Sequence, residues 1–443
     1  MDRDESTEVF RQADVIAKPT LAIRRVLFIS GIYPADLHRA VYGIYQRMRI
    51  FLTALSGISD ELDVLFYINY DNQISPQAVR EAEHNLLENW GIRATVFFSH
   101  RGETGTSANW WRHYIIPAFS IYQQEGYEDL SQVSQSNALG SCLDRQPDAL
   151  FVMGLQTMCP VLLAKRPLPP IFFDLNDIEH IKFYRNLRRP PLWPAKLLYY
   201  LHLPAIIAHE RRSIKAAKKT FVCSVLDRNY LTRQWRLPGV ACIPNSVTLP
   251  PADKEAAETK TLLFIGSYSY APNIDAAEFL IKEIWPLVRT SVPSANLIIA
   301  GNKPERIPSY HNRISGVIFT GFVDDLAELY QQAQVVCCPI LSGGGTRVKI
   351  IEGAAYGKAI VSTRVGAEGL ELRDDQEIIL RDDATSFAQV CIDLLENPTR
   401  CRMIGQAARK QVSLLYDRDR ILETIKAEIT SGAHAIKKHK MAD

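Results

Sequence analysis

Three things are missing from this 443-residue sequence: a Cys-x-x-Cys pair, an apolar run long enough to span a bilayer, and an excess of either charge. The eight cysteines are scattered, several inside apolar runs such as "QVVCCPI". They read as small buried thiols in a reducing compartment, not as disulfide partners or zinc ligands. The longest apolar candidate, "LLYYLHLPAIIA", falls short of the roughly 18 residues that a span needs, and His202 and Pro204 interrupt it. The first twenty residues are polar and begin with acid, without the basic start and apolar centre of a signal peptide, so a cytoplasmic protein is expected. A net charge of +2 leaves no general footprint for nucleic acid, and none is expected as a partner. Two nucleotide signatures are absent as well. After the strand-like "VLFIS" only Gly31 is present, with Gly43 well downstream, where a dinucleotide site needs Gly-x-Gly-x-x-Gly. The Gly-Lys-Ser/Thr of a Walker loop does not occur. No cofactor and no metal are expected. The Asp-x-Asp at Asp417 to Asp419 lies in a terminal helical pattern.

What is present is an ordinary globular composition, 47% hydrophobic and 23% charged, in a chain long enough for two domains of about 200 residues each. Short β-rich runs alternate with longer helical patterns. They are "RRVLFIS", "ELDVLFYI", "RATVFFS", "DALFVMG", "PIFFDL" and "KTFVCS" in the first half, then "KTLLFIG", "ANLIIAG", "GVIFTG", "QVVCCPI" and "KAIVST". Continuous apolar runs suit strands buried on both faces of a parallel sheet, and the segments between them are long enough for crossover helices. The expected class is α/β: two Rossmann-like doubly wound domains facing a cleft. The expected divisions are a polar tail at 1–20, a first domain at 21–245, a second at 246–410, and at 411–443 a helix packing back on the first domain with a basic tail. The proline-paired, charged stretch from Val247 to Lys260 reads as the linker. Open α/β sheets bind ligands beyond the carboxyl ends of their strands, so the chemistry belongs in loops after strands.

The most informative loop is "SGGGTRVKIIEGAAYGKAIV", from Ser342 to Val361. Gly343, Gly344 and Gly345 allow positive φ and close backbone approach. A helix beginning near Thr346 offers its free amides and dipole to an anion, to which Arg347 adds a planar fork and Lys349 a point charge. Glu352, three residues beyond Lys349, is a carboxylate suited to a pair of sugar hydroxyls. Read alone, the pattern fits a phosphate site and equally a salt-bridged surface helix after a loop.

The stretch from Gly321 to Leu370, "GFVDDLAELYQQAQVVCCPILSGGGTRVKIIEGAAYGKAIVSTRVGAEGL", closely resembles the carboxyl-terminal signature of family 4 glycosyltransferases, which have the GT-B fold. Upstream, "LLFIGSYSYAPNIDAAEFLIKEIWPLV" and "IIAGNKPERI" are similar to that family's first units, and "CIPNSVTLP" to its interdomain element with Ser246 in place of glycine. The resemblance implies a retaining, hexosyltransferase-type enzyme that moves a sugar from a nucleotide-diphosphate sugar to a carbohydrate or lipid-linked acceptor. It assigns Glu352 to the ribose, and Arg347 and Lys349 to the diphosphate that leaves. Gly266 and Ser267, with Gly343 to Thr346, would line the phosphates, and the backbone at Phe322 and Val323 the base. Glu368, in "VGAEGL", reads as a loop or capping residue. The sequence departs from the family at Gly344, where many members carry a glutamate eight positions before the second one.

In the first half, Gly43 and Arg47 loosely match the family's glycine-then-arginine pattern. "IFFDLNDIEHIKFYR" resembles its His-Asp segment, with Asn176 in place of the histidine. Asp177 is the candidate functional carboxylate there, and His180 a candidate to orient or protonate an acceptor group. Glu210 and Arg211 read as structural ion-pair members. Residues 181–203 hold Lys182, Arg185, Arg188, Arg189 and Lys196 without an acid, among Trp193 and Tyr199. That pattern suits a peripheral contact with the inner face of a membrane. Other readings are a nucleotide-sugar epimerase or phosphorylase on the same scaffold, and a non-catalytic nucleotide-sugar-binding subunit.

Overall fold

The computed structural model describes residues 23–34, 37, 43–69, 71–72, 74–102, 110–189, 192–251 and 259–440. The polar tail at 1–20 and half of the expected linker, residues 252–258, lie outside them. Each apolar run noted above becomes a parallel strand. In the first lobe these are β1 (Ile23–Ser30), β2 (Ser59–Ile68), β3 (Thr95–His100), β4 (Ala149–Met153), β5 (Ile171–Asn176), β6 (Lys219–Val222) and β7 (Val240–Cys242). The second lobe holds β8 (Thr261–Ile265), β9 (Asn296–Ala300), β10 (Val317–Gly321), β11 (Val335–Cys338), β12 (Ala359–Ser362) and β13 (Ile379–Leu380). The short β7 and β13 were not among the predicted runs, since each is too brief for an apolar pattern to stand out.

The sheet orders are β3-β2-β1-β4-β5-β6-β7 and β10-β9-β8-β11-β12-β13. In each, the order reverses once, between β1 and β4 and between β8 and β11. The loops leaving paired strands there diverge to opposite faces and open a crevice, which is where such sheets take ligands. β4 and β11 are buried along their whole length, as central parallel strands with helices on both faces must be.

The first sheet has an apolar core on each face, and the second lobe one continuous core. The last helix, Arg418–Lys440, belongs to the second half by sequence but packs on the Gly43–Ile58 helix of the first lobe. Ile421, Ile425 and Ile429, four residues apart, form its buried stripe. The chain crosses between lobes twice, side by side: Val247 N–H donates to Tyr416 O at 2.9 Å, and Arg418 N–H to Val247 O at 3.0 Å.

Candidate functional site

The glycine loop leaves β11 at the reversal point of the second sheet and runs into the Val348–Ala355 helix, with Arg347 at its N-cap. Gly343 and Gly345 have φ of 108° and 76°, values that β-carbon-bearing residues rarely adopt. Gly344 has ordinary φ, and a Cβ there would only touch the stem of Lys182 at 3.5 Å. Its lack of a side chain is therefore not required by the backbone.

The loop after β8 meets this loop. A Cβ on Gly343 would lie 2.7 Å from Tyr270 Oη. Lys349 Nζ donates to Asn273 Oδ1 at 2.9 Å and sits 4.4 Å from the centroid of the Phe264 ring. Asn273 Nδ2 in turn donates to Ser267 O at 2.9 Å. Gly266 is held by its N–H to Ala300 O, and the backbone there passes so close to Gly301 that a Cβ on Gly301 would fall 1.7 Å from Gly266 O. Gly266, Ser267, Gly343 and Lys349 are thus gathered at one point. Phe322 and Val323 follow β10, two strands from β8, and lead into the Leu326–Gln332 helix. That helix delivers Tyr330, whose hydroxyl donates to Glu352 Oε2 at 3.4 Å, and whose ring stacks on Tyr356 at 4.5 Å.

Burial sets the electrostatics. It pushes the Glu352 carboxyl up to about 7, against the pull of Tyr330 and Lys349. It also draws the Lys349 ammonium down to about 8. Arg347 spends Nη1 on Gly344 O and Nη2 on Ser342 O, the latter at 3.3 Å, so its fork braces its own loop as well as facing the site. Its Nε and the hydroxyl of Ser342 are buried with no partner among the described residues. Buried donors in that state call for an acceptor.

The first lobe closes onto this loop. A Cβ on Gly345 would meet Asp177 Oδ1 at 2.5 Å, and one on Gly43 would meet Val348 Cγ2 at 3.0 Å. Asn245 Nδ2 donates to Thr346 Oγ1 at 2.8 Å across the lobes. Arg185 holds Glu368 with both guanidinium arms, Nη2 to Oε1 at 2.7 Å, while its Nη1 also donates to Gly343 O at 3.3 Å. Arg189 holds Asp275. Between the lobes remains a cavity of about 390 Å³ bordered by Asp177, Lys182, Arg185, Asp227, Gly344 and Glu368. Burial raises Asp227 to about 6. Asn176, just before Asp177, has φ 61°, a left-handed conformation that asparagine tolerates better than most residues.

Several expectations change. His180 does not face the cavity as a free acid or base: its Nδ1 lies 2.5 Å from Glu210 Oε2, its Nε2 3.0 Å from Tyr230 Oη, and its ring stacks on Trp235. Both nitrogens are engaged, so it positions Tyr230, which does border the cavity. Glu210 therefore serves His180, and Arg211 lies over Trp235 instead of pairing with it. Glu368, expected as a loop residue, is an interlobe ion-pair partner. Arg47 is buried on Asp174 at 2.6 Å and on Ile243 O at 2.7 Å, a structural role. Sequence reasoning missed Asn273, Tyr330 and Asp227, and placed Arg185 only in the basic 181–203 segment. The signal for Asn273 was a polar residue in the first turn after the Gly-Ser loop; the others carry none that is local.

Two parallel α/β sheets whose reversal-point loops face each other across a cleft define the class: this is the GT-B glycosyltransferase fold. Solved structures of the same architecture include sucrose-phosphate synthase from Thermosynechococcus elongatus, with TM-score 0.63, 15% identity, and 95% of this chain and 100% of that one covered. Another is Anabaena HepE in complex with UDP, with TM-score 0.60, 14% identity, and 92% and 100% covered. Residues 259–397 match the family model described as glycosyl transferases group 1. A phosphatidyl-myo-inositol mannosyltransferase of Mycolicibacterium smegmatis is 28% identical over 183 residues, 38% of this chain and 47% of its own length. A protein of the Klebsiella pneumoniae cps region is 22% identical over 181 residues, 39% of this chain and 47% of its own. The chain spans about half the length of these curated relatives.

Proposed function

We propose that this protein is a retaining glycosyltransferase that moves a hexose from a nucleotide-diphosphate sugar to an acceptor hydroxyl. The observation that carries the reading is the pairing of Lys349 and Glu352, one turn apart and turned inward, at the point where the loops after β8 and β11 meet. Lys349, the Arg347 Nε and the amides of the glycine loop take the diphosphate, and Glu352 takes the ribose hydroxyls. Backbone at Phe322 and Val323 lies beside the base. The sugar extends into the interlobe cavity, where Asp177 sits against the loop in the space left by Gly345 and offers a carboxylate to the sugar. Bond formation joins the acceptor oxygen to the anomeric carbon as its bond to the phosphate breaks. The acceptor proton passes to a leaving phosphate oxygen, and Arg347 and Lys349 offset the charge that develops there. Closure of the lobes keeps water from the donor. UDP is the first nucleotide to test, because HepE was solved with UDP. The division into a first, acceptor-side lobe and a second, donor-side lobe near residue 246 follows from the same reading. The acceptor is a carbohydrate or lipid-linked, met at a membrane face.

Calorimetry against UDP-, GDP- and ADP-sugars tests this directly. One nucleotide binds, and Glu352→Ala weakens it by about 1.5–3 kcal/mol, the usual worth of hydrogen bonds to a charged group. Unchanged affinity rejects the ribose assignment. A new sugar isomer formed from the donor alone would favour an epimerase instead.

A further inference from the structure

Two segments distant in sequence, residues 110–119 and 192–202, pack together on the first lobe, with several large apolar side chains exposed beside a partly buried row of rings. Their rings form a continuous ladder. Trp111 and Trp110 are 5.4 Å apart, Trp110 and Tyr114 5.9 Å, Tyr114 and Tyr199 5.1 Å, Tyr199 and His202 5.3 Å, and His202 and Phe183 6.2 Å. Along this ladder Phe119 is 86% exposed, Leu192 71% and Leu197 69%. A contiguous apolar face of this kind marks an interaction surface.

The surrounding charge selects the occupant. From Ile181 to Lys219 there are ten lysines and arginines and one acid, Glu210, which is buried on His180. Not all of the cations are available: Lys182 bonds Glu179, Arg185 and Arg189 cross to the second lobe, and Lys196 donates to Arg189 O over the Trp193 ring. The outward ones are Arg188, over the Tyr184 ring, Arg211, Arg212 and Lys215 on the adjoining Leu203–Ala216 helix, and Lys218 just beyond it. Glu125 is the carboxylate felt at Tyr199 on the border. Rings that reach the headgroup level beside outward arginines suit an anionic bilayer surface. A second copy of the same face would set those arginines against each other.

The geometry points to this face as a lipid-docking surface that seats the first lobe on anionic membrane with the cleft at its edge. The Glu179–Arg188 helix joins the two: Lys182 and Arg185 border the cavity, while Phe183 and Tyr184 belong to the aromatic side. An acceptor hydroxyl carried on a lipid headgroup would thus enter the cavity beside Asp177. Only that last step rests on the proposed transferase activity; the docking itself does not.

Flotation with vesicles tests it. The protein should float with phosphatidylcholine vesicles containing phosphatidylglycerol, and less well with phosphatidylcholine alone. A Phe119→Ser, Leu197→Ser double variant should lose roughly tenfold or more of that partition, since each side chain loses its apolar burial in the interface. Both positions are exposed, so its melting temperature should match that of the parent, which separates lost docking from lost folding. A parent that stays in the buffer with every vesicle overturns the proposal. So does a parent dimer in light scattering that the double variant abolishes, which would assign the face to a second copy.

Discussion

At the residue scale the site is governed by two groups whose ordinary charges are costly where they sit. Glu352, raised to about 7, binds more protons folded than unfolded between its usual range and pH 7. Its contribution to stability is therefore largest at low pH and falls as pH rises through that window. On the proposed assignment the ribose hydroxyls pair with the ionised carboxylate, so nucleotide binding should strengthen as pH rises through about 7. Lys349, lowered to about 8, loses its charge above that, and on the same assignment the diphosphate should then bind less well. The expected outcome is a bell-shaped pH profile of nucleotide affinity with flanks near those two values. Glu352→Gln should remove the acid flank and leave the alkaline one. Calorimetry across the pH range reads this directly, and a flat profile in the parent would mean that neither group touches the nucleotide. Arg347, Lys349 and Glu352, the positions of the proposed donor site, could be grouped from the sequence because they share one loop and one helix. The brace that Arg347 makes to Ser342 O and Gly344 O was not legible there, because the curl of a glycine loop has no side-chain pattern to betray it.

At the scale of elements, the Glu179–Arg188 helix does more than its sequence announced. Arg185 and Arg189, four residues apart on one side of that helix and its end, reach across the cleft to Glu368 and Asp275. Both pairs are partly exposed, so each is worth at most about 1 kcal/mol and is weakened by salt. Together they bias the lobes toward closure without locking them. Glu368→Gln with Asp275→Asn should shift the open–closed balance by roughly tenfold. Small-angle scattering of the unliganded double variant should show a larger radius of gyration, and the parent should approach it as salt is raised. Identical scattering from both proteins at low and high salt would assign closure to the packing at Gly43, Gly345 and Gly369 alone. The helix itself was readable from its sequence. Its partners, 86 and 183 residues away, were not, since no local period encodes which loop faces which.

At the scale of the whole molecule, the last helix ties the two lobes into one body. Ile425 is fully buried in the core of the first lobe, although the chain reaches it only after completing the second. Ile425→Ala should cost about 2–5 kcal/mol in the first lobe, as large-to-small changes in cores do. Two lobes need not unfold together, so scanning calorimetry should show the first-lobe transition lowered while a nucleotide still raises the other. A single transition, shifted as a whole, would instead mean that the strap at Val247 and Asp417 makes the lobes one cooperative unit.

The amino-acid sequence by itself determined the class: continuous apolar runs alternating with helices can only bury themselves as parallel sheets, and a glycine loop followed by Arg347, Lys349 and Glu352 presents its chemistry within one turn of helix. Which residues of the first lobe confront that loop was decided only by the tertiary structure. Asp177, Arg185 and Asp227 come within reach of it when two separately wound sheets close. His180 was turned inward by Glu210 and Tyr230, neighbours 30 and 50 residues away. The reason is physical: hydrophobic periodicity is a local property that specifies each sheet, whereas the cleft is a surface between sheets, built from polar contacts that no periodicity records.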